Sequence, residues 1–179
     1  MSKLAERLRS GRNNESKKAI AIEQYLTFLL AEQEYGVDIL SVQEIRGWEP
    51  VMAIPNAPSY LQGVINLRGI VIPIVNLRVR FGLAAQAPSP LTVVIILRVK
   101  PADLRIGVVV DAVSEVYDIA KAQIHPPPQL EQDHDLDYIG GIATLKNKMI
   151  SLISIEKLFD VERMTQFSAS TMSMRTEKD

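Results

Sequence analysis

The sequence predicts an all-β protein made of two similar small β-barrels with short helices, and three observations predict it. Short β-branched runs alternate with turn residues from about residue 22 to residue 160. An ordered set of glycines and apolar residues occurs twice. The polar constellations that enzymes need are missing.

The elements follow in order. Residues 1–21 form a polar, basic arm with Lys3, Arg7, Arg9, Arg12, Lys17 and Lys18 against Glu6 and Glu15, read as a solvated terminus. Glu23 to Leu30 and Glu34 to Val37 make a first hairpin around Ala31-Glu32-Gln33. Val64 to Leu67 and Ile70 to Val75 make a second around Arg68-Gly69, where Gly69 tolerates positive φ. Pro73 cannot donate to a ladder and is expected at an edge or a bulge. Leu91 to Leu97 and Ile106 to Val110 flank the turn residues Lys100 to Asp103, and Ile142 to Leu145 with Met149 to Ile153 close a hairpin at Lys146-Asn147-Lys148. Short helical pieces are expected after Asp38, near Pro58-Ser59-Tyr60-Leu61, and from Ser154 to Phe159, with Ser154 as cap. Residues 161–179 read as a loose or helical tail rich in Ser, Thr and Met.

The repeat is ungapped within each block. Gly36-Val37, Val42 and Glu44-Ile45 recur as Gly107-Val108, Val113 and Glu115-Val116. Extending that register backward pairs Leu26 with Leu97, Phe28 with Val99 and Tyr35 with Ile106. Gly63-Val64, Leu67, Ile74-Val75, Leu77 and Phe81 recur as Gly141-Ile142, Leu145, Leu152-Ile153, Ile155 and Phe159. Two copies of this length indicate a duplicated small domain rather than a solenoid. The expected barrels are residues 22–83 and 91–160, with Gly36, Gly63, Gly69, Gly107 and Gly141 as structural turn glycines.

The 179 residues, 47% hydrophobic and 23% charged with a formal net charge of −1, give no concentrated basic surface for nucleic acid. Cysteine is absent, which removes disulfides, thiolate metal sites and a cysteine nucleophile. No run approaches the ~20 apolar residues of a membrane span, and no secretory leader is evident, so a cytoplasmic location is expected. His125 precedes Pro126-Pro127-Pro128 in an extended stretch, and His134 lies in an acidic run. That run resembles the start of a calcium loop, but Tyr138 and Thr144 stand where glycine and glutamate are needed. No phosphate-binding or zinc-protease motif occurs. No catalytic residue, metal site or cofactor is expected.

The stretch Leu61-Gln62-Gly63-Val64-Ile65-Asn66-Leu67-Arg68-Gly69-Ile70-Val71-Ile72-Pro73-Ile74-Val75-Asn76-Leu77-Arg78 resembles the signature of the CheW family of chemotaxis coupling proteins. So do Tyr35 to Leu40 and Val42 to Gly47 upstream, and Gly107 to Asp111 and Tyr138 to Gly141 downstream. Asn76, where the family often has aspartate, departs from it. The resemblance implies two SH3-like five-stranded β-barrels with an apolar groove between them. It also implies a free-standing scaffold that couples the cytoplasmic tip of methyl-accepting chemotaxis receptors to the regulatory domain of the chemotaxis histidine kinase. Such a scaffold has no turnover and is recruited to receptor arrays at the inner face of the membrane. The groove would take the receptor tip and the barrel ends the kinase's homologous domain. By matched motif, Val42, Glu44, Arg68, Val93, Val113 and Val116 are the interface residues, with Glu44 and Arg68 as an ion pair. The competing class, a tandem-barrel nucleic-acid module, needs aromatic platforms in a basic groove, and only 6% of the residues are aromatic.

Overall fold

The computed structural model describes residues 21–100, 103–128, 137–159, 164, 165 and 167. The strands are β1 (Ile22–Leu30), β2 (Gln33–Asp38), β3 (Val42–Gly47), β4 (Leu61–Leu67), β5 (Ile70–Asn76), β6 (Val93–Val99), β7 (Leu104–Val110), β8 (Ala112–Ala120), β9 (Ile124–His125), β10 (Ile139–Leu145) and β11 (Lys148–Ile153). Two single-turn helices, α1 (Leu77–Arg80) and α2 (Ile155–Leu158), follow β5 and β11. Asn76 caps α1, its Oδ1 accepting from the amides of Arg78 at 3.0 Å and Val79 at 3.4 Å. Asparagine performs this role as aspartate would.

The strands form two SH3-like barrels, a six-stranded sheet in the order β8-β1-β2-β11-β10-β9 and a five-stranded sheet in the order β3-β6-β7-β5-β4. Sheet membership does not follow the division at residues 83–91: β1 and β2 join the strands of the later half, and β6 and β7 join those of the earlier half. The expected assignment of residues 22–83 to one barrel and 91–160 to the other is corrected accordingly. The physical reason is the parallel pairing of β11 with β2 and of β5 with β7. A parallel neighbour needs a long connection, and each half supplies it by lending its first hairpin to the other.

The duplication is visible in the registers. Gly36 opposes Leu152 as Gly107 opposes Ile74, and a Cβ added at either glycine would press on that same partner's side chain. Gly63 and Gly141 sit at matching β-bulges, opposite Ile74-Val75 and Leu152-Ile153. The backward extension of the repeat holds for Tyr35 and Ile106 but is off by two residues across β1. Leu26 opposes Val37 as Ile95 opposes Val108, and Phe28 opposes Tyr35 as Leu97 opposes Ile106. Four residues separate Val99 from Leu104 in the later copy where the earlier has Ala31-Glu32 alone, so β1 matches β6 two positions earlier than expected. Of the five glycines expected in turns, only Gly69 is in one. Gly36 and Gly107 are mid-strand, and Gly63 and Gly141 lie where another strand crosses closely.

Two further expectations change. Pro73 lies in β5, a strand with neighbours on both sides. Its antiparallel partner Val64 exchanges both backbone hydrogen bonds with Met52 instead, so β4 asks no N–H of it. Residues Pro58 to Tyr60 form a turn into β4 rather than a helix. His125 belongs to β9, with its side chain exposed. His134 and the acidic run around it lie outside the described residues.

The continuous apolar run of β6 is explained by burial on both faces. Val94 and Ile96 enter the barrel of the five-stranded sheet with Ile72, Ile74 and Val109. Ile95, Leu97 and Val99 face a central core shared with Leu26, Phe28 and Leu30 of the other sheet. Each such fully buried side chain contributes about 1.5–3 kcal/mol, so this shared core rivals the whole net stability of a domain, about 5–15 kcal/mol. The two barrels are fused rather than tethered. An aromatic row, Phe28, Tyr35, Phe81 and Tyr138, runs through the junction, with Phe81 and Tyr138 stacked at 4.5 Å. Arg80 sits between the ring faces of Tyr60 and Tyr138, which occupy matching places in the two copies.

Asp111 joins the sheets by charge. It accepts from Arg78 Nε at 2.7 Å and Nη2 at 2.5 Å, and from the Ala31 amide at 2.9 Å, which ties α1 to the β1–β2 turn. The Arg78 guanidinium, then the Ala31 amide, hold its carboxyl below the usual range against the opposing effect of burial. A depressed carboxyl stabilises the fold above the unfolded-state pKa and loses that contribution as pH falls through the folded value. Asp111→Asn is therefore expected to lower the melting temperature at neutral pH by roughly 3–10 °C, for a loss of about 1.5–3 kcal/mol. The gap between variant and parent should close below about pH 4. Thermal melts of both proteins across pH check this, and a gap independent of pH would contradict it.

Candidate partner-binding surfaces

Glu44 lies on β3, which among the described residues pairs only with β6 and forms an edge of its sheet. It opposes Ile96, whose side chain enters the barrel, so Glu44 stands at the barrel mouth. Arg68 comes from the two-residue turn between β4 and β5, with φ of +51° at Arg68 and +85° at Gly69. This geometry requires positive φ at both positions, so Arg68, as well as Gly69, occupies the left-handed region. The Asn66 side chain accepts from the Gly69 amide at 2.9 Å and fixes the turn.

The expected ion pair is present, within a larger cluster. Glu44 Oε2 accepts from Arg68 Nη2 at 3.1 Å and Oε1 from Arg46 Nη1 at 3.0 Å. Arg46 also reaches Glu49 at 3.3 Å. The hydrogen bond from Arg46, then that from Arg68, holds the Glu44 carboxyl below its ordinary range, and Glu44 in turn raises Arg46. Arg68 remains 75% exposed at its side chain while Glu44 is 25% exposed, so the cluster presents a guanidinium outward. Beside it is a shallow open recess of about 430 Å³ lined by Glu44, Leu67, Arg68, Ile70, Ile96 and Arg105.

The four valines lie elsewhere. Val42 opposes Leu97, Val93 opposes Val110, Val113 opposes Phe28 and Val116 opposes Leu26, and all four of these partners face the central core. Val42, Val93 and Val113 pack half-buried against that core, whereas Val116 is 49% exposed. A bulge between Val42 and Glu44 brings Val42 and Ile45 to one side of β3 and turns Glu44 to the other. Ile45 is 46% exposed and matches Val116 in the repeat. The chain thus carries two copies of one apolar edge, Val42 with Ile45 and Val113 with Val116. Sequence reasoning missed Arg46 and Ile45, although Ile45 was signalled by its alignment with Val116.

Phe28, Tyr35, Phe81 and Tyr138 stack on one another at the junction of the sheets rather than on either surface. Among the described residues no helix is long and apolar enough to cross a membrane.

Comparison with known proteins places this architecture. A family described as CheW-like domain matches residues 24–163. The chain is similar to the chemotaxis protein CheW of Klebsiella aerogenes, 41% identical over 142 residues that cover 79% of this chain and 84% of the relative. It is 37% identical over 139 residues to the chemotaxis protein CheW of Rhizobium meliloti, covering 78% and 88% of the two chains. The crystal structure of the scaffolding protein TtCheW from Thermoanaerobacter tengcongensis superposes with a TM-score of 0.72 at 36% identity, covering 79% of this chain and 94% of that one. The fused barrels with their exchanged hairpins, and the motifs that line their edges, belong to a member of the CheW-like family.

Proposed function

We propose that the protein is a non-catalytic chemotaxis adaptor, which couples the cytoplasmic tip of methyl-accepting receptors to the regulatory domain of the chemotaxis histidine kinase. It acts in the cytoplasm, at receptor arrays on the inner face of the membrane. The observation that carries this reading is the separation of the matched motif residues into two outward surfaces on opposite sides of β3. One is the apolar edge of Val42 with Ile45, duplicated as Val113 with Val116, with Val93 half-buried on the neighbouring β6. The other is the charged mouth at Glu44 and Arg68. An adaptor must hold two partners at once, and each interface can be modest when both are engaged in an array. The names of the relatives, chemotaxis proteins and a scaffolding protein, support the same role.

In this reading a helical receptor tip lays apolar residues along the Val42–Ile45 and Val113–Val116 edges, where partly exposed aliphatic groups offer burial without a rearranged core. The kinase domain docks at the barrel mouth. A pull-down with purified receptor cytoplasmic fragment and purified kinase, beside a tRNA-binding assay across salt, tests it. Capture of both proteins with no salt-dependent tRNA binding is expected. Failure to capture either protein would refute the role, and tight tRNA binding lost with salt would favour a nucleic-acid module.

A further inference from the structure

The duplication gives every group of the Glu44 recess a counterpart in the other barrel, and the two versions differ in how their charges are satisfied. Glu34 takes the place of Arg105, since Glu34 opposes Leu29 as Arg105 opposes Arg98. Lys148 takes the place of Ile70, each standing opposite a matched leucine, Leu145 or Leu67. Tyr117 takes the place of Arg46. In the six-stranded barrel the opposite charges of this set meet, although Glu34 Oε1 is itself buried without a hydrogen-bond partner among the described residues. Lys148 Nζ donates to Glu34 Oε2 at 3.1 Å and to the Tyr117 hydroxyl at 2.8 Å. Those two hydrogen bonds, Tyr117 first, push the lysine up to about 12.

In the five-stranded barrel both members of that internal pair are replaced. The carboxylate becomes the Arg105 guanidinium, whose Nε is buried without a hydrogen-bond partner among the described residues. The lysine becomes Ile70, which is 38% exposed. Glu44 forms no hydrogen bond with Arg105; its two oxygens accept from Arg46 and Arg68. Among the described residues, three guanidinium groups, Arg46, Arg68 and Arg105, stand with two carboxylates, Glu44 and Glu49, and Arg105 has no ion pair beside the exposed aliphatic surface. A half-buried guanidinium without a counterion is costly, and an incoming carboxylate removes that cost.

We infer that the recess at Arg105 and Ile70 is a docking site for an acidic–apolar segment of the kinase's regulatory domain, in which a glutamate or aspartate pairs with Arg105 and a neighbouring aliphatic side chain covers Ile70 and Leu67. The inference rests on the coupling role proposed above and specifies the chemistry of one of its contacts. A carboxylate suits the site because the arginine fork binds it through paired hydrogen bonds. The aliphatic neighbour excludes water from that pair and strengthens it.

The test converts the open recess into its closed counterpart by combining Arg105→Glu with Ile70→Lys, with Arg105→Met as a second variant that keeps the aliphatic stem. Isothermal titration measures affinity for the purified chemotaxis histidine kinase, and co-sedimentation measures binding to receptor-bearing membranes. The double variant is expected to keep its melting temperature, to lose at least about thirty-fold in kinase affinity, and to bind receptor membranes as the parent does. Arg105→Met should lose about ten-fold and show a weaker salt dependence than the parent between about 50 and about 500 mM NaCl. If the double variant fails to fold, Arg105→Met decides the matter alone. Unchanged kinase affinity in the variants, with a parent that binds both partners, would overturn the docking site and leave the coupling role standing. A parent that binds neither partner would overturn the coupling role and the docking site with it. Loss of receptor binding instead of kinase binding, or tRNA binding by the parent that the variants lose, would assign the recess to a different occupant and overturn the inference.

Discussion

Gly63→Ala is expected to be among the most damaging single-methyl changes in this protein. Gly63 has a φ of +153° and lies under the crossing backbone of Met52, where a Cβ would run into the Met52 carbonyl. The pair of hydrogen bonds between Met52 and Val64, at 3.0 and 2.9 Å, holds that crossing in place. Backbone strain of about 1–3 kcal/mol and a displaced strand of about 1–3 kcal/mol both apply. For a chain of this size the melting temperature should fall by roughly 5–20 °C. Gly69→Ala is the control. Its φ is +85°, but nothing lies within 4 Å of the added Cβ, so only the backbone preference, about 1 kcal/mol, is lost. Thermal unfolding of both variants gives the comparison. Equal shifts, or a Gly63→Ala protein as stable as its parent, would show that the crossing strand does not constrain this position.

Glu44→Ala and Arg68→Ala are expected to have the opposite profile, with near-normal stability and abolished signalling. Arg68 is 75% exposed at its side chain, and the turn beneath it is held by Gly69 and by the Asn66 side chain. Alanine at Arg68 meets the same left-handed backbone that arginine already occupies, so the hairpin is retained. Without Glu44, Arg46 keeps Glu49 as a partner. Exposed pairs of this kind stabilise little. On docking, the surviving charge would be taken out of water without its counterion, which is where truncating one side of a pair has its large effect. Each variant should therefore melt within about 3 °C of the parent and reduce kinase activation in reconstituted receptor complexes by about ten-fold or more. Large destabilisation, or normal activation by a stable variant, would remove these residues from the interface.

The strands and the duplication were readable in the sequence because both are local. β-branched runs, two-residue turns and matched glycines need only short windows, and the Gly36–Gly107 and Gly63–Gly141 correspondences follow from them. The exchange of hairpins was not readable. The parallel pairs of β2 with β11 and of β5 with β7 are long-range, and a run such as Val93 to Val99 looks the same whichever neighbour covers it. The two-residue slip between β1 and β6 arose from a turn-length difference that an ungapped register conceals. β3 and β8 also carry polar residues among their apolar ones, Gln43 and the half-buried Glu44 in one and Ser114 and Glu115 in the other, which masks an edge strand as a loop. For the binding surfaces, the motif positions led to Glu44 and Arg68. Their contact with Arg46, and the lack of a partner at Arg105, depend on side chains brought together from β3, β7 and the β4–β5 turn. The sequence order of those elements carries no trace of that meeting.

The central claim is that this chain physically joins receptor to kinase, and co-sedimentation tests it most directly. Receptor-bearing membranes and purified kinase are mixed with and without the full chain, and both pelleted kinase and its autophosphorylation are measured. The account predicts that the kinase pellets and is activated only when the chain is present, and that Glu44→Ala and Arg68→Ala fail to replace it. Kinase that pellets and is activated equally well without the chain would contradict the coupling role.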